Sequence, residues 1–364
     1  MALLASGLVL LPGPAGAAAP YEVLAEGLDN PRGIGLRDGL VYVAEAGRGG
    51  DQCAPGINPE SGEPFTVCVG NTGGVTRIHK NGRVEDVISG YPSLAEEGGI
   101  GAAGVIDVST KRGLHFLVSN ASGAPEALRP LLEPFGKLFR YRGGEVFERS
   151  DISAFEEADN PDGGEIDTNP YGFFTTSAGR HLVADAAGNS LVHVDRAGRV
   201  SLVAVLPGGT ALAPPFLGLP PGTQIPFQPV PTAVTRGPDG AYYVGQLTGF
   251  PFPVDGAKVF RVDAGGQVTT YAEGFTNIID VTFDGDGNLF VLEIASAGLL
   301  NSEPPEGDPT GTLWKVSPGG ERERISGPEL VSPGGVAVSS SGDDAYVTNY
   351  AIFPGQGQVV HYDL

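Results

Sequence analysis

Asn169-Pro170-Tyr171-Gly172, His181-Leu182-Val183-Ala184-Asp185, Ser190-Leu191-Val192-His193-Val194-Asp195 and Gly198-Arg199-Val200-Ser201-Leu202-Val203 follow one another in the middle of the chain. Together they spell one unit of four short strands. A small-residue strand follows the Pro-Gly turn, a second ends in an acid, a third ends in Asp, and a fourth follows a Gly turn. Runs of this length, rich in Val, Leu and Ile and bounded by Gly, Pro and Asn, read as strands joined by tight turns.

The unit recurs along the whole chain, and a fixed recurring unit marks a repeat architecture. Upstream lie Asn30-Pro31-Arg32-Gly33 with Val41-Tyr42-Val43-Ala44-Glu45, and a looser copy with Gly104-Val105-Ile106-Asp107 and His115-Phe116-Leu117-Val118. Downstream lie Pro231-Thr232-Ala233-Val234 with Tyr242-Tyr243-Val244, Asp280-Val281-Thr282-Phe283 with Leu289-Phe290-Val291-Leu292-Glu293, and Gly335-Val336-Ala337-Val338 with Ala345-Tyr346-Val347-Thr348. The last copy stops after its third strand, Gln358-Val359-Val360-His361-Tyr362. Its missing fourth strand has a counterpart at the other end of the chain. Tyr21-Glu22-Val23-Leu24-Ala25-Glu26-Gly27-Leu28 resembles the outer strand Thr269-Thr270-Tyr271-Ala272-Glu273-Gly274-Phe275. Joining the two ends seals a ring of sheets and removes open inner edges. The expected fold is an all-β, six-bladed β-propeller with four-stranded blades, a single domain over residues 20–364.

Residues 1–19, MALLASGLVLLPGPAGAAA, have an apolar run broken by Pro and Gly and then Ala-x-Ala sites. This resembles the later part of a secretory signal peptide, lacking the basic start, and the run is too short to span a bilayer. A secreted, extracellular protein is expected. The two cysteines agree: Cys53 and Cys68 enclose fourteen residues with no His nearby. Two thiols alone do not make a zinc site, and in an exported protein they pair as a disulfide.

The formal charge is −21, from 43 acidic and 22 basic residues, and the sequence has no basic stripe or Arg cluster. Nucleic acid and anionic membrane surfaces are therefore disfavoured as partners, while cations and neutral ligands fit. Net charge of this kind also serves solubility alone. Gly/Pro-rich insertions near 48–72, 119–135, 205–229 and 295–310 mostly follow second or fourth strands. They decorate one face of the ring, where loops on a rigid scaffold carry function.

On that rim the sequence gathers Asn30, Glu45, Asn120, Asn169, Asp185, Gln246, Asn277, Asp280, Glu293 and Asn349. Oxygen donors without Cys or His suit a hard cation such as calcium. The same residue types also cap Gly turns and backbone N–H groups, and both readings stand at this point. Asp284-Gly285-Asp286-Gly287-Asn288 lacks the pattern of an EF-hand and reads as a hairpin turn. The five His residues fall on or beside second and third strands, away from the rim, and no Gly-x-Ser-x-Gly elbow, HExxH helix or Walker loop occurs.

The chain resembles the ScyD/ScyE family of exported bacterial propellers. The resemblance lies in Gly27-Leu28 with Asn30-Pro31-Arg32-Gly33, Val43-Ala44-Glu45-Ala46-Gly47, Asn160-Pro161-Asp162-Gly163-Gly164 through Asn169-Pro170-Tyr171-Gly172, and Val331 through Asn349. It implies the fold and no particular activity. More distantly the chain is similar to NHL-repeat proteins, which bind partners, and to gluconolactonase-like propellers, which hold a divalent cation through Glu, Asn and Asp. Glu45, Asn169, Asp185 and Glu293 are the residues of matching type. Quinone-dependent sugar dehydrogenases open with a similar Asn-Pro-x-Gly blade, but their channel His has no counterpart here. The leading expectation is a monomeric binding protein for a small molecule, glycan or protein. A calcium-dependent lactone or ester hydrolase is the alternative.

Overall fold

The computed structural model describes residues 18–57, 64–121, 124–302 and 307–364. The expected signal peptide lies almost wholly outside them. Among the described residues the chain forms seven antiparallel sheets: five of four strands, one of five, and a two-stranded ribbon, Gly209–Leu212 with Gln224–Phe227. One α-helix, Ile152–Asp159, follows the second large sheet, with Asp151 accepting the Ala154 N–H as its N-cap.

Six innermost strands organise the molecule: Pro31–Arg37, Val105–Ser109, Pro170–Thr175, Pro231–Arg236, Ile278–Phe283 and Gly335–Val338. Each lies beside the next, and Gly335–Val338 lies beside Pro31–Arg37. The sheets thus radiate from one axis, as in a β-propeller. Second strands such as His181–Asp185 and Leu289–Glu293 are buried along their whole length. They are covered on both faces, so they read as continuous apolar runs instead of alternating ones. Outer strands are more exposed, Val200–Val205 in part and the charged Arg322–Arg324 along its whole length.

Packing between neighbouring sheets supplies the stability. Between the second and third, Leu117, Leu138, Ile152, Val183, Val192 and Val194 form one buried cluster. Each such side chain contributes about 1.5–3 kcal/mol on burial. Tyr21–Leu28 pairs with Gly357–Asp363, Tyr21 opposite Tyr362 and Leu28 opposite Gly357, so the first strand completes the last sheet. Thr348 Oγ1 also donates to the Arg32 carbonyl at 2.7 Å, tying that sheet to the first.

The insertion near 48–72 is more ordered than its composition suggests. Gln52–Ile57 pairs with the strand Pro64–Ile78, and Cys53 and Cys68 stand opposite each other and form a disulfide. In five sheets the inner strand has a register irregularity just after its first residue, as between Val105 and Asp107, Pro170 and Gly172, and Ile278 and Asp280. Bulges of this kind re-aim a side chain. Here they set what faces the axis.

Candidate functional site

The rim residues singled out in the sequence occupy equivalent places, and most serve the same purpose. Glu45, Asp185, Glu293 and Asn349 end second strands, and each turns back onto the backbone ahead of its own inner strand. Glu45 accepts the Asp29 N–H at 2.7 Å, Asp185 the Asn169 N–H at 2.7 Å, Glu293 the Thr276 N–H at 2.8 Å and Asn349 the Val331 N–H at 2.6 Å. Glu45 also accepts from the Thr76 hydroxyl, and Asp185 from Thr168 Oγ1 and the Gly188 N–H. Asn30 and Asn277 have left-handed backbones, φ 50° and 45°, and bridge to the preceding or following loops through Gly47, Gly99 and Leu247 carbonyls. Asn169 accepts from the Asn120 N–H, linking the second and third sheets.

Glu45, Asp185, Glu293 and Asn349 thus each hold the turn ahead of an inner strand. Among the described residues no three His, Cys, Asp or Glu side chains converge as metal ligands. A hard cation takes six to eight oxygens. The carboxylates of Glu45, Asp185 and Glu293 are engaged with backbone N–H groups of their own sheets. Burial raises the pKa of all three, Glu293 to about 7, against the hydrogen bonds that favour the charged forms.

Asp280 belongs to a different constellation. It sits on an inner strand with Asp107 at the matching place of the second sheet, in the parallel sequences Val105-Ile106-Asp107-Val108 and Ile278-Ile279-Asp280-Val281. Asp107 accepts the N–H groups of Val108 at 2.7 Å and Phe173 at 2.8 Å; Asp280 accepts those of Val281 and Val336, both at 2.8 Å. Each carboxylate thereby clamps the next inner strand. Glycines make room for them. A Cβ on Gly33 would stand 2.0 Å from Asp107 Oδ1, and one on Gly335 would stand 3.1 Å from Gly33 Cα. Burial drives both pKa values up, Asp280 to about 7, and Asp107 is raised further by the Asp280 charge. Tyr171, at a bulged position, lies close enough to interact with both carboxylates and with Arg32, which also donates to the Ala102 carbonyl.

The two carboxyl groups end a channel of about 260 Å³ lined by all six inner strands. Its lining includes Ser109, Thr235, Thr282 and Lys111 among Ile34, Phe174, Val281 and Val336, while the Thr110 and Thr175 hydroxyls bond the Leu36 carbonyl and His181. These residues belong to the later halves of the inner strands. The channel therefore opens on the face opposite the insertions, not on the rim that the sequence pointed to. Asp107 went unnoticed in the sequence, although its shared Ile-Asp-Val with Asp280 was the available signal.

Neither a family model nor a curated protein matches the chain. Among solved structures it is similar to a putative gluconolactonase at 11% identity, covering 96% of this chain and 93% of that one, with a TM-score of 0.51. It is similar also to the calcium-binding protein regucalcin from Agrobacterium tumefaciens at 12% identity, covering 95% and 94%, with a TM-score of 0.50. A streptogramin B lyase aligns over 94% and 97% at 13% identity, with a TM-score of 0.48. At such identities the likeness speaks to fold, and the fold is a β-propeller.

Proposed function

We propose that this chain is an exported six-bladed propeller of the ScyD/ScyE kind that binds a small polar molecule in its central channel. The six larger sheets serve as the blades, residues 20–364 act as one closed domain, and residues 1–19 are removed on secretion. The disulfide and the lack, among the described residues, of any helix long and apolar enough to cross a membrane are compatible with that setting.

One observation carries the ligand class. Every inner strand contributes to a single channel lined by the half-buried carboxyl groups of Asp107 and Asp280 and by Ser109, Thr235 and Thr282. Acceptors at the closed end with hydroxyls and apolar patches along the walls suit a neutral polyhydroxylated molecule of monosaccharide size. Glycan ends share that chemistry. The rim and its insertions remain the natural surface for a protein partner.

The alternative is calcium-dependent hydrolysis of a lactone or ester. It is supported by the names of two fold neighbours, a gluconolactonase and a calcium-binding regucalcin. Melting curves with glucose, galactose, N-acetylglucosamine and inositol, and separately with calcium, divide the two. A saturable rise with one of the neutral ligands, abolished by Thr282→Val with Thr235→Val, is the expected result. No rise with any of them, together with calcium-requiring hydrolysis of glucono-1,5-lactone, would replace binding by catalysis.

A further inference from the structure

The fold gathers basic residues that are scattered in the sequence. Arg112, Arg140, Arg149 and Arg196 line one pocket of about 380 Å³ together with His115, His181 and the Ala178–Gly179 turn. No Arg cluster is visible along the sequence, because these side chains come from turns and strands of two different sheets. Arg112 belongs to the first hairpin of the second sheet, and Arg140 and Arg149 to its outer strands. Arg196 and His181 come from the third. No carboxylate lines the pocket. Among the described residues none of the four arginines forms an ion pair, in a chain with 43 acidic residues against 22 basic ones.

The cluster is also held in place. Arg149 donates to the Arg196 carbonyl at 2.8 Å, and Arg196 Nε donates to the Ala178 carbonyl at 2.7 Å. The rings of His115 and His181 lie 4.8 Å apart at 5% and 1% exposure. Two polar atoms in the lining are buried without a hydrogen-bond partner, His115 Nδ1 and Arg140 Nε. Burial, and then the charges of Arg140 and Arg149, push His115 down to about 4. Four guanidinium groups without a carboxylate partner, with the Arg140 Nε–H buried and unmatched among them, call for an anion with several acceptor oxygens.

We infer that this pocket binds a tetrahedral oxyanion, phosphate or sulfate, free or as the monoester of a small molecule. It lies apart from the central channel and does not depend on the reading of that channel. The forked donors of arginine match such oxygens in pairs. The acidic remainder of the protein makes the pocket selective for small anions over polyanions, which the surrounding charge repels.

Calorimetric titration of the purified protein at low salt with inorganic phosphate, inorganic sulfate and glucose 6-phosphate tests this. One-to-one saturable binding is expected, weakened by added chloride. Arg140→Gln should weaken it about tenfold, the loss of one charge-assisted contact. The doubly substituted Arg112→Gln, Arg196→Gln protein changes only exposed positions and should weaken it at least as much with melting unchanged. Arg324→Gln, on an outer strand elsewhere, should leave it intact. Tenfold tighter binding of the ester than of phosphate would identify a phosphorylated metabolite as the ligand; equal binding would identify the free anion. No saturable heat with any of the three anions, or the same affinity in the doubly substituted protein, overturns the inference.

Discussion

Asp107 and Asp280 stand at the same place in the second and fifth of the six large sheets, and each accepts a backbone N–H of the sheet that follows, from Phe173 and Val336. Two inner strands, Pro170–Thr175 and Pro231–Arg236, lie between them in chain order. The innermost strands have few side chains of their own to interlock, since Gly33, Gly172 and Gly335 occupy three of the equivalent places. The two carboxylates act as staples where apolar packing is thin.

Removing a staple therefore has a definable cost. Asp280→Ala leaves the buried N–H groups of Val281 and Val336 without acceptors. Unmatched buried donors cost roughly 1–3 kcal/mol each, so a loss of about 2–5 kcal/mol is expected in denaturant unfolding. Asp107→Ala should behave alike through Val108 and Phe173. An unshifted midpoint for either variant would mean that the carboxylates do not hold the inner ring together.

Stability should fall as pH rises through neutrality. Asp280, Glu293 and Glu156 are each pushed up to about 7, chiefly by burial, and in Glu156 also by Asp185, Asp162 and Asp167. Between about pH 4 and 7 the folded chain keeps protons that the unfolded chain has released, so these groups lose stability as pH rises. His115 and His181, lowered to about 4 and 3, act in the opposite sense. There the unfolded chain holds the extra protons, and stability is gained as pH rises to about 6.5, the unfolded value. Above that pH only the carboxyl contribution continues. Glu156 is 1% exposed with Oε1 unpartnered. Glu156→Gln should therefore gain on the native protein by about 1–3 kcal/mol between pH 5 and 8. Parallel stability curves for the two proteins would remove Glu156 from the account.

The disulfide closes a loop of sequence separation 15, for which chain entropy gives about 3 kcal/mol. That stabilisation acts on an arm, Gln52–Ile57 against Pro64–Val69, at one edge of the first sheet. Replacing both cysteines by serine should expose the arm to proteases at residues 52–69 and leave the inner ring folded. Cleavage confined to that segment, followed by mass spectrometry, is the expected result. A cooperative loss of the whole fold would show that the arm is integral to the first sheet.

Much of this was legible in the residues, for physical reasons. Strands covered on both faces must be apolar along their length, so runs such as Leu289-Phe290-Val291-Leu292 announce themselves. The acid that ends a second strand was equally visible. Its role was not, because Glu45 or Asp185 can face either a cation or a turn, and only the position of the Asp29 or Asn169 N–H decides. The arm at 52–69 was hidden by its Gly and Pro content, since cross-strand pairing overrides weak strand propensity. The arginine pocket was hidden for a different reason. Residues 112, 140, 149 and 196 share no period, and only the adjacency of two sheets brings them together.

At the seam where the two chain ends meet, Tyr21–Leu28 forms the outer edge of the last sheet against Gly357–Asp363. Ala25 and Leu28 of the first strand are buried beside Ile34, Val43, Ala337 and Val359. Tyr362, opposite Tyr21, is fully buried with its hydroxyl donating to Glu329 at 2.6 Å. Deleting residues 21–28 would strip one edge from Gly357–Asp363 and uncover that cluster at once. Leu28→Ala alone should cost about 2–5 kcal/mol. The deletion should cost more, lower the melting temperature by ten degrees or more, and leave an open strand edge prone to self-association. Adding back a peptide of residues 20–28 should restore melting towards that of the intact chain, because the vacated edge has the register to receive it. If the deleted protein instead melts like the intact one, the sheets stand without the seam, and the ring is held by its inner strands alone.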